Sequence, residues 1–544
     1  MNERRRIGLG TWIDKLAWDV IEREKKLGRS LENIVTEAGI AASGFVHIGS
    51  LSDSVRAYAV TLAIKNLGYN SEMIQFADDM DGLRSVPAEI PKDYEKHLLK
   101  PVSLIPDPFN CHESYAEHME AQLVDSLAKT GVEAKLYRGY IIYREGRLKN
   151  EIIKILSNWK LIGEKIAELT GQEKFKTMLP YFPLCERCGR IYTTRAYEFD
   201  EETHRVHYVC QGVSIKKRWF EGCGFEGEAD VTKAEGKLSW KVEWAARWAG
   251  FDVRFEAYGK DLAASVKVND WVCENILGVP APYHVQYELF LDASRRKISK
   301  SRGVSVFTPH EWLKYGSPQS LVLLFLKRIK GTRVVSPSLI PALMNELDQL
   351  GEQYYRGDGD PRRTGLYAYA YLLKPPQKKP ATAPYNLLIF LASVAPTSKE
   401  VEFVASKLNK YGYKTDEEMF KKVEMAVNFY KTFGRPAVEP VELEEPMRTA
   451  VLQVAEAMTV SQSPEILQAK VFETARKNGV RPSMLFETLY RILIGHPSGP
   501  KFASFVFEDM GIEKAYATLM DAVSQSLNRS KTDDMRQEKS EERN

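Results

Sequence analysis

The stretch ENIVTEAGIAASGFVHIGS, residues 32 to 50, decides the fold. Its first nine residues are a short apolar run typical of a buried strand, and its last eight are a glycine-punctuated loop. Residues 51–68 then have helical spacing and end at Gly68, and residues 69–84 predict a second strand with an acidic end. Strand, loop, helix and strand in this order form the βαβ unit of a doubly wound α/β sheet, so we predict a Rossmann-type domain.

The alternation of strands and helices continues on both sides of this unit. Residues 11–27 have helical spacing, and residues 95–235 break the rhythm and predict an insertion. FDVRFEAYGKDLAASVKVNDWVCENILG, residues 251–278, resumes strand, turn and helix, and APYHVQYELFLD, residues 281–292, adds a strand.

After about residue 332 the pattern is almost wholly helical. SPEILQAKVFETARKNG, residues 463–479, predicts a helix that starts with Ser463 as N-cap and stops at Gly479. The highly charged last residues predict a disordered tail. The expected domains are the first half of the Rossmann domain at 1–95, the insertion at 96–235, the second half at 236–332, an all-α domain at 333–528 and the tail at 529–544.

Composition is that of a globular protein. Apolar residues make up 44% and charged residues 27% of the 544 residues, a length that predicts about three or four domains. No apolar run approaches the roughly 18 residues that span a bilayer, and the basic start, MNERRRIGLGTW, lacks the apolar core of a signal peptide. We therefore expect a cytoplasmic protein without a membrane partner.

The net charge of +3 neither indicates nor excludes nucleic-acid binding, which needs only a local basic face. Candidate basic segments are SIKKRW (214–219), RRKISKSR (295–302) and FLKRIKGTR (325–333). For the first and third, a solvated face is the simpler interpretation.

Four of the six cysteines are clustered, and they predict a structural zinc site. The expected ligands are Cys185, Cys188, Cys210 and Cys223. Four thiolates, two of them in a CxxC pair, suit tetrahedral Zn²⁺. His204 and His207 are alternative ligands, and four reduced buried cysteines are the alternative to a metal site. We expect Cys111 and Cys273 to be ordinary buried residues.

The HIGS segment lies where the first strand meets its helix. Gly44 and Gly49 would let a ligand approach the backbone, and free N–H groups at the helix start favour phosphate oxygens. His47 can donate to a phosphate whose charge grows in the transition state. Such a short match is a weak signal alone, because a single loop histidine is usually structural.

The KISKS segment, residues 297–301, follows a strand in the second half of the domain. Lys297 and Lys300 could neutralise a pyrophosphate leaving group. In this order, HIGS and KISKS resemble the HIGH and KMSKS signatures of class I aminoacyl-tRNA synthetases. Ser50 stands in place of the second histidine, a replacement common among relatives.

The resemblance narrows to the class I lysyl-tRNA synthetase family. It rests on DDMDGLRSVP (78–87), PLCERCGRIYTTR (183–195), GKLSWKVEWAARWAGFDVRFEAYGKDL (236–262) and GPKFASF (499–505). It implies that the protein activates L-lysine with ATP and Mg²⁺ and transfers it to a tRNA, which the resemblance identifies as tRNA-Lys. It also implies that the helical domain reads the anticodon.

The resemblance also implies roles for single residues. Gly259 and Asp261 would contact the nucleoside of ATP. Gly44, His47 and Lys300 would contact its phosphates. The expected catalytic set is His47, Gly49, Ser50, Lys297 and Lys300.

A lysine pocket needs an aromatic wall and carboxylates. The residues expected there are Gly39, Ala41, Asp78, Asp79, Trp240 and Trp244. Core packing is the alternative role for the tryptophans, and a solvated turn is the alternative for the aspartates. The sequence departs from the family at Leu262, where a histidine is frequent, and at Ala41, where a hydroxyl residue is common.

Two other functions stay open at this point. A glutamate-type synthetase shares the architecture but needs cations in its pocket. A non-catalytic tRNA-binding paralogue would have no reason to keep both lysines of KISKS. The sequence predicts neither the oligomeric state nor the tRNA identity elements.

Overall fold

The computed structural model describes residues 6–215, 217–292, 294–295 and 308–541, with side chains described as far as residue 528. The KISKS segment, with Lys297 and Lys300, lies outside the described residues. The chain forms two compact units, and the first contains residues 1–312, 318–336 and 353–375. The second contains residues 313–317, 337–352 and 376–544.

The first unit holds the strands. Their bounds are β1 (Ile34–Ile40), β2 (Ser71–Ala77), β3 (Lys135–Arg138), β4 (Tyr181–Pro183), β5 (Thr194–Asp200), β6 (Arg205–Cys210), β7 (Gly212–Ile215), β8 (Arg218–Glu221), β9 (Glu226–Asp230), β10 (Gly236–Leu238), β11 (Val253–Gly259), β12 (Tyr283–Tyr287), β13 (Phe290–Leu291) and β14 (Arg333–Val334).

The helices follow one another through both units. Their bounds are α1 (Trp12–Lys26), α2 (Ile48–Asn66), α3 (Tyr115–Thr130), α4 (Gly139–Arg144), α5 (Lys149–Ser157), α6 (Trp159–Thr170), α7 (Trp240–Gly250), α8 (Ala263–Val272), α9 (Pro309–Leu313), α10 (Pro318–Leu326), α11 (Leu339–Arg356), α12 (Pro361–Ala370), α13 (Tyr385–Val394), α14 (Glu400–Lys410), α15 (Glu417–Phe433), α16 (Glu445–Val460), α17 (Pro464–Lys477), α18 (Pro482–Ile494), α19 (Phe502–Phe505) and α20 (Ile512–Glu541).

The central sheet is parallel and doubly wound. Its strand order is β12-β11-β1-β2-β3, with every neighbouring pair parallel. β1 and β2 are buried along nearly their whole length, as expected for a sheet covered on both faces. The order reverses at β1, which places the carboxyl ends of β1 and β11 at the crevice where such sheets bind nucleotides. The predicted Rossmann-type α/β domain is therefore present.

The segment predicted as an insertion contains part of this sheet. β3 pairs with β2, and α3 precedes it, although both lie within residues 96–235. The apolar pattern missed β3 because this four-residue edge strand is only half-buried. The separate part of the segment is a three-stranded antiparallel sheet, β5-β6-β9, and the hairpin β7-β8.

The first unit also extends beyond the predicted boundary at residue 332. Its α12 is bonded to α1, because the Tyr369 hydroxyl donates to Asp14 Oδ1 at 2.8 Å. The other oxygen of Asp14 accepts the Thr11 N–H at 2.9 Å and forms the capping box of α1. The 337–352 segment belongs instead to the second unit.

The second unit is helical in its described part. The apolar segment of α13 is a buried helix. As predicted, α17 begins after Ser463, whose hydroxyl accepts the Ile466 N–H. Among the described helices, none combines the length and apolar character needed to cross a bilayer. The final helix, α20, continues to Glu541, so helical backbone occupies residues where composition predicted a disordered tail.

Candidate active site

The HIGS segment begins α2 at the carboxyl end of β1. His47 is the N-cap, and its Nδ1 accepts the Ser50 N–H at 3.0 Å, which leaves Nε2 to carry the proton of the neutral ring. A Cβ at Gly49 would lie 3.0 Å from the imidazole, so only glycine lets the ring fold back on the helix. Gly44 lies in the buried bend before it. This helix start has the form of an anion site.

The turn after β11 faces the same edge of the sheet. Asp261 lies in a single 3₁₀ turn, Lys260–Leu262, that follows Gly259. A Cβ at Gly259 would lie 2.8 Å from Asp261 Oδ1 and 2.9 Å from Leu289 Cδ2. Glycine is needed here for packing against residues of the chain itself, and the contact of Gly259 with the nucleoside, which the resemblance implied, stays a prediction.

A cavity of about 270 Å³ opens between the carboxyl ends of these strands and α7. It is lined by Gly39, Ala41, Asp53, Asp78, Asp81, Arg84, Lys237, Trp240, Glu243, Trp244, Glu256, Ala257, Tyr258, Leu262 and Tyr287. Among the described residues, five carboxylates and two cations therefore face it. An excess of carboxylates favours a cationic ligand.

The structure brings most of the predicted pocket residues together. Gly39, Ala41, Asp78, Trp240 and Trp244 all line the cavity. The tryptophans form an aromatic wall, with their rings edge to face at 6.1 Å. Leu262, one of the two departures from the family pattern, lines the cavity too, and so does Ala41, the other.

Asp79 lies apart from the cavity lining. Its Oδ1 accepts the Tyr140 N–H at 2.6 Å at the start of α4, and its side chain is buried. Burial raises the pKa of Asp79 to about 8, and the nearby Glu120 carboxylate adds to this. Its geometry is that of a helix cap, and Asp81 takes the position at the cavity that the sequence suggested for Asp79.

A buried arginine ties α7 to the sheet beneath the cavity. Arg247 is fully buried; its Nε donates to Glu37 Oε1 at 2.8 Å and its Nη1 donates to Asp78 Oδ1 at 3.0 Å. Burial raises the pKa of Asp78 to about 7 although Arg247 opposes the shift. A Cβ at Gly39 would lie 3.2 Å from Arg247 Nη2, so a glycine at this point of β1 makes room for the guanidinium.

A second buried cation holds the rim of the cavity. Lys237 Nζ donates to Asp81 Oδ1 at 2.7 Å and lies 2.8 Å from Glu243 Oε2. Burial would raise the pKa of Asp81, but Lys237 and Arg84 outweigh it and lower that pKa. Glu243 also accepts the Tyr143 hydroxyl at 2.7 Å. These acids are therefore fixed by partners within the protein.

Sequence reasoning missed the charged residues that line the cavity or lie directly behind it. They are Glu37, Lys237, Glu243, Arg247 and Glu256. A signal was present, because Glu37 interrupts the mostly apolar run of β1, and Arg254 and Glu256 interrupt that of β11. A charge in such a run needs a buried partner.

The four predicted cysteines meet in one cluster. Their sulfurs all lie within 4.8 Å of one another, with Cys185 and Cys223 3.5 Å apart and Cys188 and Cys210 3.8 Å apart. Tetrahedral Zn–S bonds of about 2.3 Å require sulfurs roughly 3.8 Å apart, so these donors fit zinc. His207, one of the alternative ligands, lies 3.5 Å from Glu228 and is not a member of this cluster.

A second cluster of metal-ligating side chains lies between β2 and α3. Cys111 Sγ lies 3.1 Å from His112 Nδ1, 3.2 Å from His118 Nδ1 and 3.2 Å from Asp107 Oδ2. All four donors lie within 4.8 Å of one another. Cys111 is exposed, so its expected burial was wrong, whereas Cys273 is buried as expected. The sequence signal was the run DPFNCHESYAEH, residues 107–118. Its first three donors precede α3, and its last, His118, lies in the first turn of that helix.

Comparison with known proteins agrees with this geometry. The sequence model described as tRNA synthetases class I (K) matches residues 10–373. The chain belongs to the class I lysyl-tRNA synthetase family. A lysine–tRNA ligase of Cenarchaeum symbiosum (strain A) is 44% identical over 93% of this chain and 98% of its own length. Lysine–tRNA ligases of Methanosphaera stadtmanae and Archaeoglobus fulgidus are 28% and 27% identical over 91% and 92% of this chain, and 96% and 98% of their own lengths.

The first unit has a larger cavity beside the acidic one. It measures about 520 Å³ and shares Arg84 and Trp240 with the acidic cavity. Lys174, Arg195 and Lys241 also line it, and no carboxylate of the described residues does. Adjacent cavities of opposite charge can bind a cationic amino acid and a polyanion side by side.

Removing the buried arginine should destabilise the first unit. We predict that Arg247→Met lowers the free energy of unfolding by about 3–5 kcal/mol, because Glu37 and Asp78 lose their shared partner. All nine tryptophans precede residue 313, so the urea dependence of tryptophan fluorescence reports on this unit.

Lys267→Met, which removes an exposed cation on α8, is the matched control and should change stability by less than about 0.5 kcal/mol. The double variant Arg247→Met/Glu37→Gln should recover part of the loss. An equal free energy of unfolding for Arg247→Met and wild type would contradict a stabilising role for the ion pairs of Arg247 with Glu37 and Asp78.

Proposed function

We propose that this protein is a lysine–tRNA ligase, which activates lysine with ATP and transfers it to the 3′ end of tRNA-Lys. The observation that carries the proposal is the acid-rich cavity beside the His47 helix start. Family membership and relatives named lysine–tRNA ligase support it. Its substrates, tRNA and ATP, are consistent with a cytoplasmic protein.

Lysine binding would use the two sides of the cavity. The apolar stem would lie along Trp240 and Trp244. Asp78 follows directly on the end of β2, at the rim, where it would hold the α-ammonium group and direct the carboxylate to the helix start. In this orientation the amino acid is placed for reaction by binding energy alone.

Activation would be an attack by the lysine carboxylate on the α-phosphate of ATP, with pyrophosphate leaving. His47 would donate from Nε2 to phosphate oxygens, and the N–H groups that begin α2 would add to this. Lys297 and Lys300 are proposed to neutralise the leaving pyrophosphate. When bound to the phosphate oxygens of ATP, Mg²⁺ would add to this charge neutralisation.

Transfer to tRNA would use the larger, basic cavity. Its cations, Arg84, Lys174, Arg195 and Lys241, suit the phosphates at a single-stranded 3′ end. Phe182 and Tyr192 line the same cavity and offer ring faces for stacking. The helical second unit is proposed to bind the anticodon.

The cysteine cluster is proposed to bind structural zinc. With four thiolates as ligands the coordination is complete, so the ion would stabilise the fold of residues 185–223 and take no part in the reaction. We also propose that Asp107, Cys111, His112 and His118 hold a second metal ion, since this mixed set of sulfur, nitrogen and oxygen donors suits zinc.

A glutamate-type synthetase is the weaker alternative. The carboxylate of a glutamate side chain would need a cation in the cavity. Arg84 and Lys237 are the cations there among the described residues, and both are paired with Asp81.

Amino-acid-dependent exchange of pyrophosphate into ATP tests the proposed function. We expect exchange with lysine, measured across the twenty amino acids with and without total tRNA, and at least about 100-fold less with glutamate. Exchange with another amino acid instead of lysine would show a class I synthetase with a different amino-acid substrate. Absence of exchange under both conditions, with tRNA binding retained, would favour a non-catalytic paralogue.

Metal analysis tests the two clusters independently. We predict about two zinc ions per chain in reduced, freshly purified protein, and about one in either Cys188→Ser or Cys111→Ser. Cys273→Ser, at a buried cysteine outside both clusters, should keep the wild-type metal content. An unchanged zinc content in Cys188→Ser would contradict the proposed four-cysteine site. An unchanged zinc content in Cys111→Ser would contradict the proposed second site.

A further inference from the structure

We infer that Glu256 is the carboxylate that receives the ε-ammonium group of lysine, an inference that rests on the proposed lysine-activating function. Glu256 lies on β11, faces the cavity and is only 4% exposed. The other acids at the cavity differ from Glu256 in their ion-pair partners, and this difference identifies the acid that a ligand ammonium group would meet.

The remaining carboxylates already have cations within the protein. Asp78 is paired with Arg247, and Asp81 and Glu243 share Lys237. Asp53 lies 3.8 Å from Arg56. Their negative charge is therefore largely compensated before any ligand binds.

Glu256 makes no ion pair with any residue of the described chain. Its Oε2 accepts the indole N–H of Trp248, which fixes the direction of the carboxylate. Glu37 is its register neighbour across β1 and β11, so a second acid lies beside it. A buried carboxylate without a cation is costly, and a bound ammonium group would remove that cost. Burial, together with the charge of Glu37, raises the pKa of Glu256 well above its ordinary value, although the charge of Arg247 and the hydrogen bond from Trp248 oppose the shift.

Depth in the cavity suits the length of lysine. Glu256 precedes Gly259, the last residue of β11, by three residues, or about 10 Å along the strand. Asp78 lies at the rim. An extended lysine places its two ammonium nitrogens about 7.5 Å apart, because six bonds of about 1.5 Å separate them and each advances the chain by about 1.25 Å. With the α-ammonium at Asp78, the side chain can reach inward, and the carboxylate of Glu256 can extend to meet it.

The surroundings of Glu256 also suit a long aliphatic stem. Trp244 stacks on Trp248 at 5.9 Å, so the aromatic wall continues from the rim to the residue that orients Glu256. Tyr258 points to the same face of β11, two residues nearer the rim. A ligand would pass along these rings before its charged end meets the carboxylate.

This assignment predicts how the enzyme separates lysine from its neutral analogue. L-norleucine has the same carbon chain but no ε-amino group, so it would leave Glu256 buried and unpaired. Replacing Glu256 by glutamine removes that penalty together with the charge attraction for lysine.

The experiment compares Glu256→Gln and Glu256→Asp with wild type in pyrophosphate exchange, using L-lysine and L-norleucine as substrates. For Glu256→Gln, kcat/KM for lysine should fall at least about 100-fold, while kcat/KM for norleucine should stay the same or rise. The KM for ATP should stay within about twofold of the wild-type value. Glu274→Gln, at an exposed glutamate, is the control and should leave both substrates unchanged.

Equal losses for lysine and norleucine in Glu256→Gln would show a structural role and overturn the inference. If tryptophan fluorescence shows that Glu256→Gln does not fold, Glu256→Asp decides. The aspartate keeps the charge but is one methylene shorter, so the KM for lysine should rise about tenfold while the preference for lysine over norleucine persists. An unchanged KM in that variant would overturn the inference. Failure of the wild-type protein to exchange with lysine would instead overturn the proposed function.

Discussion

The site depends on one buried interaction, the guanidinium of Arg247 held between Glu37 and Asp78. It joins α7, which carries the aromatic wall, to the ends of β1 and β2. Because an arginine without partners is too costly to bury, the three groups fix one another's positions. The same pairing affects the charge of the cavity. Because Arg247 is bonded to Glu37 and Asp78, it does not pair with the other carboxylates that line the cavity.

What remains at the cavity is an excess of negative charge in a partly enclosed cleft. Charges of one sign in a low-dielectric cleft attract a ligand of the other sign and reject neutral analogues. Lysine has two ammonium groups and a long apolar stem, so it matches both the carboxylates and the tryptophans. Glutamate matches neither. The specificity proposed here therefore follows from how the protein pairs its own charges, and the departures at Ala41 and Leu262 leave that pairing in place.

The sequence predicted the parts of the protein whose apolar pattern is strong. The βαβ unit at residues 32–84, the helix of α17 and the meeting of the four cysteines were all predicted from local signals. The edge strand β3 was missed because KLYR is short and half-exposed. The partners of Arg247 could not be found, since ion pairs between residues 37, 78 and 247 depend on how distant segments cross. The choice between Asp79 and Asp81 likewise depends on which side chain the turn directs inward.

Proton release on lysine binding tests the central claim most directly. Burial raises the pKa of Asp78 to about 7 in the empty cavity, and a bound ammonium group favours the ionised carboxylate. Titration calorimetry of lysine near pH 6.5, in two buffers with different ionisation enthalpies, should therefore show protons released, with affinity that increases from pH 6 to pH 8. Binding without proton release, or an affinity that decreases over this range, would contradict a lysine pocket formed by buried carboxylates of raised pKa.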